Sequence, residues 1–382
     1  MNVKFSPTVL TLWRWLPLPV VARTMIKKTV YRLSRSVRKL TTEHTVSPSI
    51  RVTRKTPIGR RDFLVFGIID WDFRVQRPQH LAREIARMGN TVFFIEPHFN
   101  DESHPGYSIR RIADQDEVMI VRLLLSGSPQ IYFKGPSAEQ LKQLEGGMTM
   151  LMQDWGIEAS AVIAEHAYWT PIVTALPNSI GIYDCMDHHE GFGGVPDELV
   201  ALEHCILERS DLVVVTSAWL EDWGMKRSIR TEVIRNGCDF EYFALAPTNI
   251  YQPTKGRKVI GYYGAIADWF DVELVKAVSL AHADCEVVLV GADTVGAKKA
   301  LASFNNVSLL GEQPYTHLTH FLYGFDVCLL PFQNIPLTQA TNPVKVYEYL
   351  CSGKHVVCVD LPEISQFGEL VFKGKSHQEF VK

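Results

Sequence analysis

Apolar residues along this chain fall into short runs that alternate with segments of helical period. Residues 63–69 (FLVFGII) form the first run. The spacing then predicts a helix from Arg77 to Met88, ended by Gly89 and Asn90, which both tolerate the left-handed conformation. Residues 91–95 (TVFFI) read as a second strand. A strand–helix–strand unit of about 33 residues predicts parallel pairing. Further runs lie at 118–125, 161–164 and 180–183, and a helix at 196–209 leads into strands at 211–215 (DLVVV) and 231–234. Alternation of this kind means an α/β domain with helices on both sheet faces. Residues 246–257 (APTNIYQPTKGR) carry two prolines, a glycine and no periodicity, and read as a linker. The pattern restarts with strands at 258–263 (KVIGYY) and 286–290 (EVVLV) around a helix near 270–282. Strands near 307–310, 326–331 and 355–359 follow, with helices near 315–323 and 343–352. The expected organisation is therefore a domain over 62–245, a linker over 246–257 and a second domain over 258–382. Two such Rossmann-like domains facing each other bring the carboxyl ends of both sheets to one cleft, where open α/β sheets bind ligands.

The first 61 residues follow a different pattern. Ile26, Val30, Leu33, Val37 and Leu40 make one apolar stripe of helical spacing, flanked by Lys27, Lys28, Arg32, Arg35, Arg38 and Lys39. Upstream lies Leu12-Trp13-Arg14-Trp15-Leu16, and paired tryptophans suit a water–lipid boundary. Residues 1–61 carry a net charge of +13 and the remaining 321 residues a net of −16. A basic amphipathic helix of this type fits an anionic membrane surface, through residues 12–40. A mitochondrial transit peptide and an arm that is solvated or packs on its own protein are the other readings. Nucleic acid is a poor partner, because the acidic body does not continue the basic surface.

Composition adds exclusions. The 382 residues suffice for two domains with full cores. No run approaches the roughly 20 apolar residues of a membrane-spanning helix. Seven cysteines without a C-x-x-C pair argue against a disulfide framework or structural zinc and fit a reducing compartment.

Four segments carry candidate chemistry. In the turn after the first strand of the second domain, Gly264 allows backbone N–H groups to approach a phosphate, although the segment is not a G-x-G-x-x-G fingerprint. Near 342, Pro343 suits a first helical position, Asn342 a cap, and Lys345 and Glu348 share one helix face near its positive end. A cation for a diphosphate and a carboxylate for ribose hydroxyls form a donor-binding pair; an ordinary surface ion pair is the alternative. The segment 183–190 places Asp187 and His188 at a sheet mouth, as acid, base or hydroxyl binders, or as a plain acidic capping loop. Its H-H-E cluster lacks the spacing of a helical zinc site, so no metal is expected. In the loop after the first strand, Trp71 is a stacking platform for a sugar and Arg74 and Arg77 are donors to an acceptor; alternatively Arg77-Pro78 only start a helix.

Six stretches together resemble the GT-B glycosyltransferases, in particular family 4 and the teichuronic acid and exopolysaccharide enzymes. They are 71–83 (WDFRVQRPQHLAR), 183–193 (YDCMDHHEGFG), 211–221 (DLVVVTSAWLE), 233–239 (VIRNGCD) with Phe243, 261–271 (GYYGAIADWFD) and 342–358 (NPVKVYEYLCSGKHVVC). The resemblance covers about 62–380. It implies transfer of a sugar from a UDP- or GDP-linked donor, with retention and without a metal or other cofactor, the donor in the second domain and the acceptor in the first. The second glutamate of the family's Glu–seven–Glu motif falls on Glu348. The first falls on Ala340, and the family's basic phosphate contacts fall on Ala265 and about Phe270, so Lys345 and the helix start must hold the diphosphate. The chain ends near Phe380, where the family adds helices that return to the first domain, which reads as a truncated chain or a clipped gene product.

The expectation is a glycosyltransferase of surface polysaccharide biosynthesis, peripheral on the cytoplasmic face of the plasma membrane, with a glycan or polyprenyl-linked acceptor. A non-catalytic homologue acting as a membrane-associated assembly partner and a nucleotide-sugar epimerase are the alternatives. Asp187 and His188 are the expected catalytic pair.

Overall fold

The computed structural model describes residues 61–112, 115–228 and 230–382. The expectations for the arm therefore lie outside the described residues, apart from its last residue, Arg61.

The first sheet has eight strands: β1 (Asp62–Phe66), β2 (Val92–Ile95), β3 (Tyr107–Ile112), β4 (Gln115–Leu123), β5 (Ser160–Ala164), β6 (Ser179–Cys185), β7 (Leu212–Val215) and β8 (Thr231–Val233), in the order β3-β4-β2-β1-β5-β6-β7-β8. Every neighbour is parallel except β3 and β4. β1 shows why its sequence is a continuous apolar run. Leu64 and Phe66 enter the cluster on one face and Val65 the cluster on the other, so both faces are covered. The helix Arg77–Arg87 covers the second face through Ala82 and Ala86, and the helix Ala138–Trp155 the first through Leu144, Met148 and Leu151. The latter starts at a capping box between Ser137 and Gln140 and stops at Gly156, whose φ is 62°. Such a cap contributes about 1 kcal/mol.

The second sheet holds β9 (Val259–Tyr263), β10 (Glu286–Val290), β11 (Val307–Leu309), β12 (Val327–Leu330), β13 (His355–Val359) and β14 (Phe372–Gly374), all parallel, in the order β11-β10-β9-β12-β13-β14. Phe243 is wholly buried in the core of this second domain. The crossing between domains therefore precedes the 246–257 stretch, which runs over the second domain with Tyr251 hydrogen-bonded to Glu286. The local absence of periodicity marks a surface strap there.

The loops at the carboxyl ends of the two sheets meet. Phe192, after β6, packs edge-on against Trp269, after β9, with ring centroids 6.2 Å apart. Arg74, after β1, pairs with Glu312, after β11. Among the described residues no helix is long and apolar enough to cross a membrane.

Candidate active site at the interdomain cleft

The donor side is built on the ends of β9 and β10. Gly264 follows β9 with φ 141°, and Lys345 lies directly over it. A Cβ on residue 264 would stand 1.9 Å from the Lys345 Cε, so only glycine leaves room for the lysine stem. A Cβ on Gly291 would stand 1.8 Å from the Gly264 carbonyl oxygen, so the two strand ends touch through glycine as well. Lys345 forms no hydrogen bond or ion pair within the described residues. Burial and the Arg74 charge lower its proton affinity, while Glu348 and Asp187 raise it, and the net shift is downward. Glu348, on the same helix Val344–Cys351, accepts a hydrogen bond from the Tyr263 hydroxyl at 2.7 Å. Burial raises its carboxyl, and Tyr263 and Lys345 offset part of that shift.

The helix tip differs from expectation at its first residue. Pro343 is the cap position and makes no side-chain cap bond. Asn342 is 1% exposed and serves the seam between domains. Its Oδ1 accepts from the Asn236 backbone N–H at 3.0 Å, its carbonyl accepts from Asn236 Nδ2 at 2.8 Å, and its Nδ2 donates to Glu363 at 3.0 Å. Both polar side-chain atoms and the carbonyl of Asn342 thus have protein partners. Glu363 also accepts from Ala218 N and Arg235 Nε, so one buried carboxylate gathers donors from both domains. Ala340 is wholly buried in the first domain's core, and its carbonyl accepts from Ser217 Oγ at 2.6 Å. The position aligned with the family's first glutamate is packed away here.

The acceptor side uses the carboxyl ends of β5 and β6. Asp187 has no protein donor to its carboxylate within the described residues. Burial raises its proton affinity, and His189, Lys345 and Arg77 lower it, so it feels the donor-side lysine across the cleft. His188, the expected partner, is turned away. Its ring packs on Trp219 at 4.7 Å and Trp223 at 5.8 Å, and a Cβ on Gly191 would touch it. His189 takes the place by Asp187: its Nδ1 lies 3.0 Å from Glu203 Oε1, which also accepts from the Tyr183 hydroxyl at 2.6 Å. Burial works against the imidazolium, but the Glu203 hydrogen bond and charge, with Asp187, outweigh it and raise the pKa of His189.

Two residues escaped the sequence reading, Glu165 and His166 after β5. Glu165 is wholly buried; one oxygen accepts from the Ile68 N–H at 3.2 Å and the other has no partner. Burial and the neighbouring Asp184 push its carboxyl far above the usual range, against the Ile68 bond and Arg77. His166 Nδ1 accepts from the Tyr168 N–H, which leaves the proton on Nε2. Burial and the His189 charge pull its pKa down to about 3. The signal was a Glu-His pair at the end of an apolar run, the same signal that marked 183–190.

The pair His189–Glu203 makes stability depend on pH. With its native pKa raised, His189 contributes fully below about pH 6.5, and that contribution is lost as pH rises through the native value. Glu203 is depressed, because its bonds to His189 and Tyr183 outweigh burial, so its contribution holds above about pH 4.5 and is lost on acidification. His166 opposes folding below about pH 6.5, since its native form resists the proton that the unfolded chain takes up. His189→Gln is expected to flatten the decline in stability above about pH 6.5, read by urea denaturation across the range. An unchanged slope would remove His189 from this role.

Three expected acceptor contacts are assigned differently by the structure. Trp71 is 5% exposed, packs edge-on against Phe94 at 5.1 Å and lies under Arg83, so its ring belongs to the core and offers no stacking face. Arg77 does start a helix. Its guanidinium makes two buried 2.8 Å bonds to Asp184 and reaches the Ile234 carbonyl at 2.9 Å. Arg74 reaches the cleft, but its Nε donates to Glu312 at 2.8 Å.

No protein-family model matches the chain. A Bacillus subtilis (strain 168) protein named as a teichuronic acid biosynthesis glycosyltransferase, TuaH, is 26% identical over 171 residues, 42% of this chain and 43% of that protein. The chain thus aligns with less than half the length of that relative. Among solved structures, sucrose-phosphate synthase from Thermosynechococcus elongatus has a TM-score of 0.64 at 13% identity, over 84% of this chain and 88% of that one. The UDP-forming trehalose-phosphate synthase from Burkholderia vietnamiensis has a TM-score of 0.61 at 11% identity, with 84% and 88% covered. Anabaena HepE, solved with UDP and glucose, has a TM-score of 0.58 at 14% identity, with the same coverage. Two facing, mostly parallel sheets that meet at their carboxyl ends, superposable on these enzymes over most of the chain, give this protein the GT-B fold.

Proposed function

We propose that this chain transfers a sugar from a nucleoside diphosphate sugar to a hydroxyl of a glycan or polyprenyl-linked acceptor in surface polysaccharide assembly. The observation that carries this reading is Lys345: a partly buried ammonium with no hydrogen bond or ion pair among the described residues, laid over Gly264 at a helix start and facing Asp187 across the cleft. An unpaired cation in such a place suits a diphosphate, whose charge grows as the glycosyl bond breaks. Glu348 offers the ribose hydroxyls the oxygen that Tyr263 does not use. Asp187 positions the acceptor hydroxyl, with His189 rather than His188 beside it. Retention of configuration and independence from metal belong to the same reading, since Lys345 and the helix N–H groups supply the positive charge. So does work at the cytoplasmic face of the plasma membrane.

The test is a thermal-shift panel of UDP, GDP and their sugars. A ligand at about 100 times its dissociation constant adds about 2.7 kcal/mol to stability. One nucleotide series is expected to raise the melting temperature and the Lys345→Ala variant to lose the effect. No shift with either series overturns the proposal. A non-catalytic role is favoured by one observation only, the burial of Ala340 where the resemblance puts a carboxylate. Release of nucleoside diphosphate on addition of acceptor separates the two readings.

A further inference from the structure

A groove unrelated to the cleft lies at the amino ends of β5 and β6, between the helices Ala138–Trp155 and Thr170–Val173. Its volume is about 530 Å³. Met152 and Leu176 are its partly exposed apolar residues, over Met148, Ile157 and Ile172 of the first domain's core. Glu145 and Glu158 stand exposed on its rim, and none of its lining residues is basic.

The chain enters the fold at this place. Arg61 donates from Nη1 to the Asn178 carbonyl at 2.8 Å and to the Ser160 carbonyl at 3.3 Å. Asn178 is the neighbour of Pro177, and Ser160 lies two residues from Glu158, both in the groove wall. Residues 1–61 carry a net charge of +13, against a net of −16 for the rest. As a helix, residues 26–40 would be about 22 Å long, well within the length of the helix Ala138–Trp155 at about 27 Å. The connector from Leu40 to Arg61 reaches at most about 3.3 Å per residue, ample to lay that segment along the groove.

We propose that the groove is the docking surface for the chain's own residues 26–40. The stripe Ile26, Val30, Leu33, Val37 and Leu40 lies over Met152 and Leu176, and the flanking lysines and arginines meet Glu145 and Glu158. Methionine adapts its shape to an incoming apolar edge. The tether makes the contact intramolecular, so a weak surface suffices at an effective concentration of about millimolar. One stripe cannot be buried in two places, so docking here and lying in a bilayer exclude each other.

The experiment places a benzophenone amino acid at Thr149, an exposed residue of the groove wall, in the full-length chain. A mixture of ¹⁴N- and ¹⁵N-labelled protein is irradiated without vesicles and the adducts are mapped by mass spectrometry. The expected adduct joins position 149 to a peptide within 26–40 of the same molecule. It falls at least about tenfold in the full-length V30D/L33D/V37D and E145K/E158K variants, whose changes are in the arm and on the exposed rim. In parallel, amide exchange over 145–158 speeds up in V30D/L33D/V37D. Adducts of mixed isotope composition assign the groove to a second copy and overturn the proposal. Adducts outside 26–40, or adducts and exchange rates unchanged by the arm variant, also overturn it. No arm adduct, in a protein that sediments with phosphatidylglycerol vesicles, assigns the stripe to the bilayer and likewise overturns it.

Discussion

Lys345→Ala is expected to lower sugar transfer by about 10²–10³-fold while leaving the fold as stable as the wild type or more so. The two halves of the expectation share one cause. Lys345 is partly buried and pairs with no described residue, and its proton affinity is depressed by burial and by Arg74. A desolvated cation without a partner is a cost to the folded state, and that cost is recovered only when an anion arrives. Removing it relieves the empty protein and, under the proposed function, deprives a departing diphosphate of a nearby positive charge. Lys345→Arg is expected not to rescue, because the stem lies against Gly264 and a guanidinium is longer and planar. Steady-state nucleotide release and urea denaturation on the same preparations check both halves. Turnover within about twofold of wild type would end the assignment of the diphosphate site.

Arg77→Ala is expected to cost about 3–5 kcal/mol of stability, the largest single loss at the acceptor side. The guanidinium is bidentate to Asp184, and its remaining nitrogen holds the Ile234 carbonyl at 2.9 Å and Asn236 Oδ1 at 3.3 Å. Without it, Asp184 is a buried carboxylate, 1% exposed, beside Glu165, whose own carboxyl is already driven upward in part by the Asp184 charge. Removing both partners is gentler than removing one, so Arg77→Met with Asp184→Asn should recover much of the loss. Arg77→Lys should recover little, since an ammonium cannot make the paired contact. Denaturant midpoints for the four proteins decide the matter. A loss below about 1 kcal/mol for Arg77→Ala would mean the pair is no more than a surface bridge.

Much of this architecture is written locally. The runs at 286–290 and 355–359 coincide with β10 and β13, because a strand covered on both faces is apolar throughout and needs no distant partner to be recognised. β3 went unseen. Its sequence YSIRRI lies at the antiparallel edge of the sheet, where arginines are welcome. The helix Ala138–Trp155 was hidden by Gly146 and Gly147, which suggest a break. They are there for packing: side chains at those positions would meet Pro105 at 2.7 Å and the Gly106 carbonyl at 2.8 Å.

The site divides in the same way. The glycine turn at 264 and the shared helix face of Lys345 and Glu348 were legible because a turn and an i, i+3 face are local facts. Arg77, Trp71 and Asn342 were misread because their partners are remote: Asp184 is 107 residues from Arg77, Glu96 is 25 from Trp71 and Asn236 is 106 from Asn342. A polar or aromatic residue after a strand looks the same whether it awaits a substrate or already has a neighbour.

Glu363 has a mechanical consequence. It ties together Ala218 and Arg235 from one domain and Asn342 from the other, and its own carboxylate is buried. The exposed Arg74–Glu312 bridge is the weaker stitch elsewhere along the boundary. Salt screens the latter and spares the former. The two halves would then part as a book does, with Glu363 at the spine and ionic strength setting how readily the pages open.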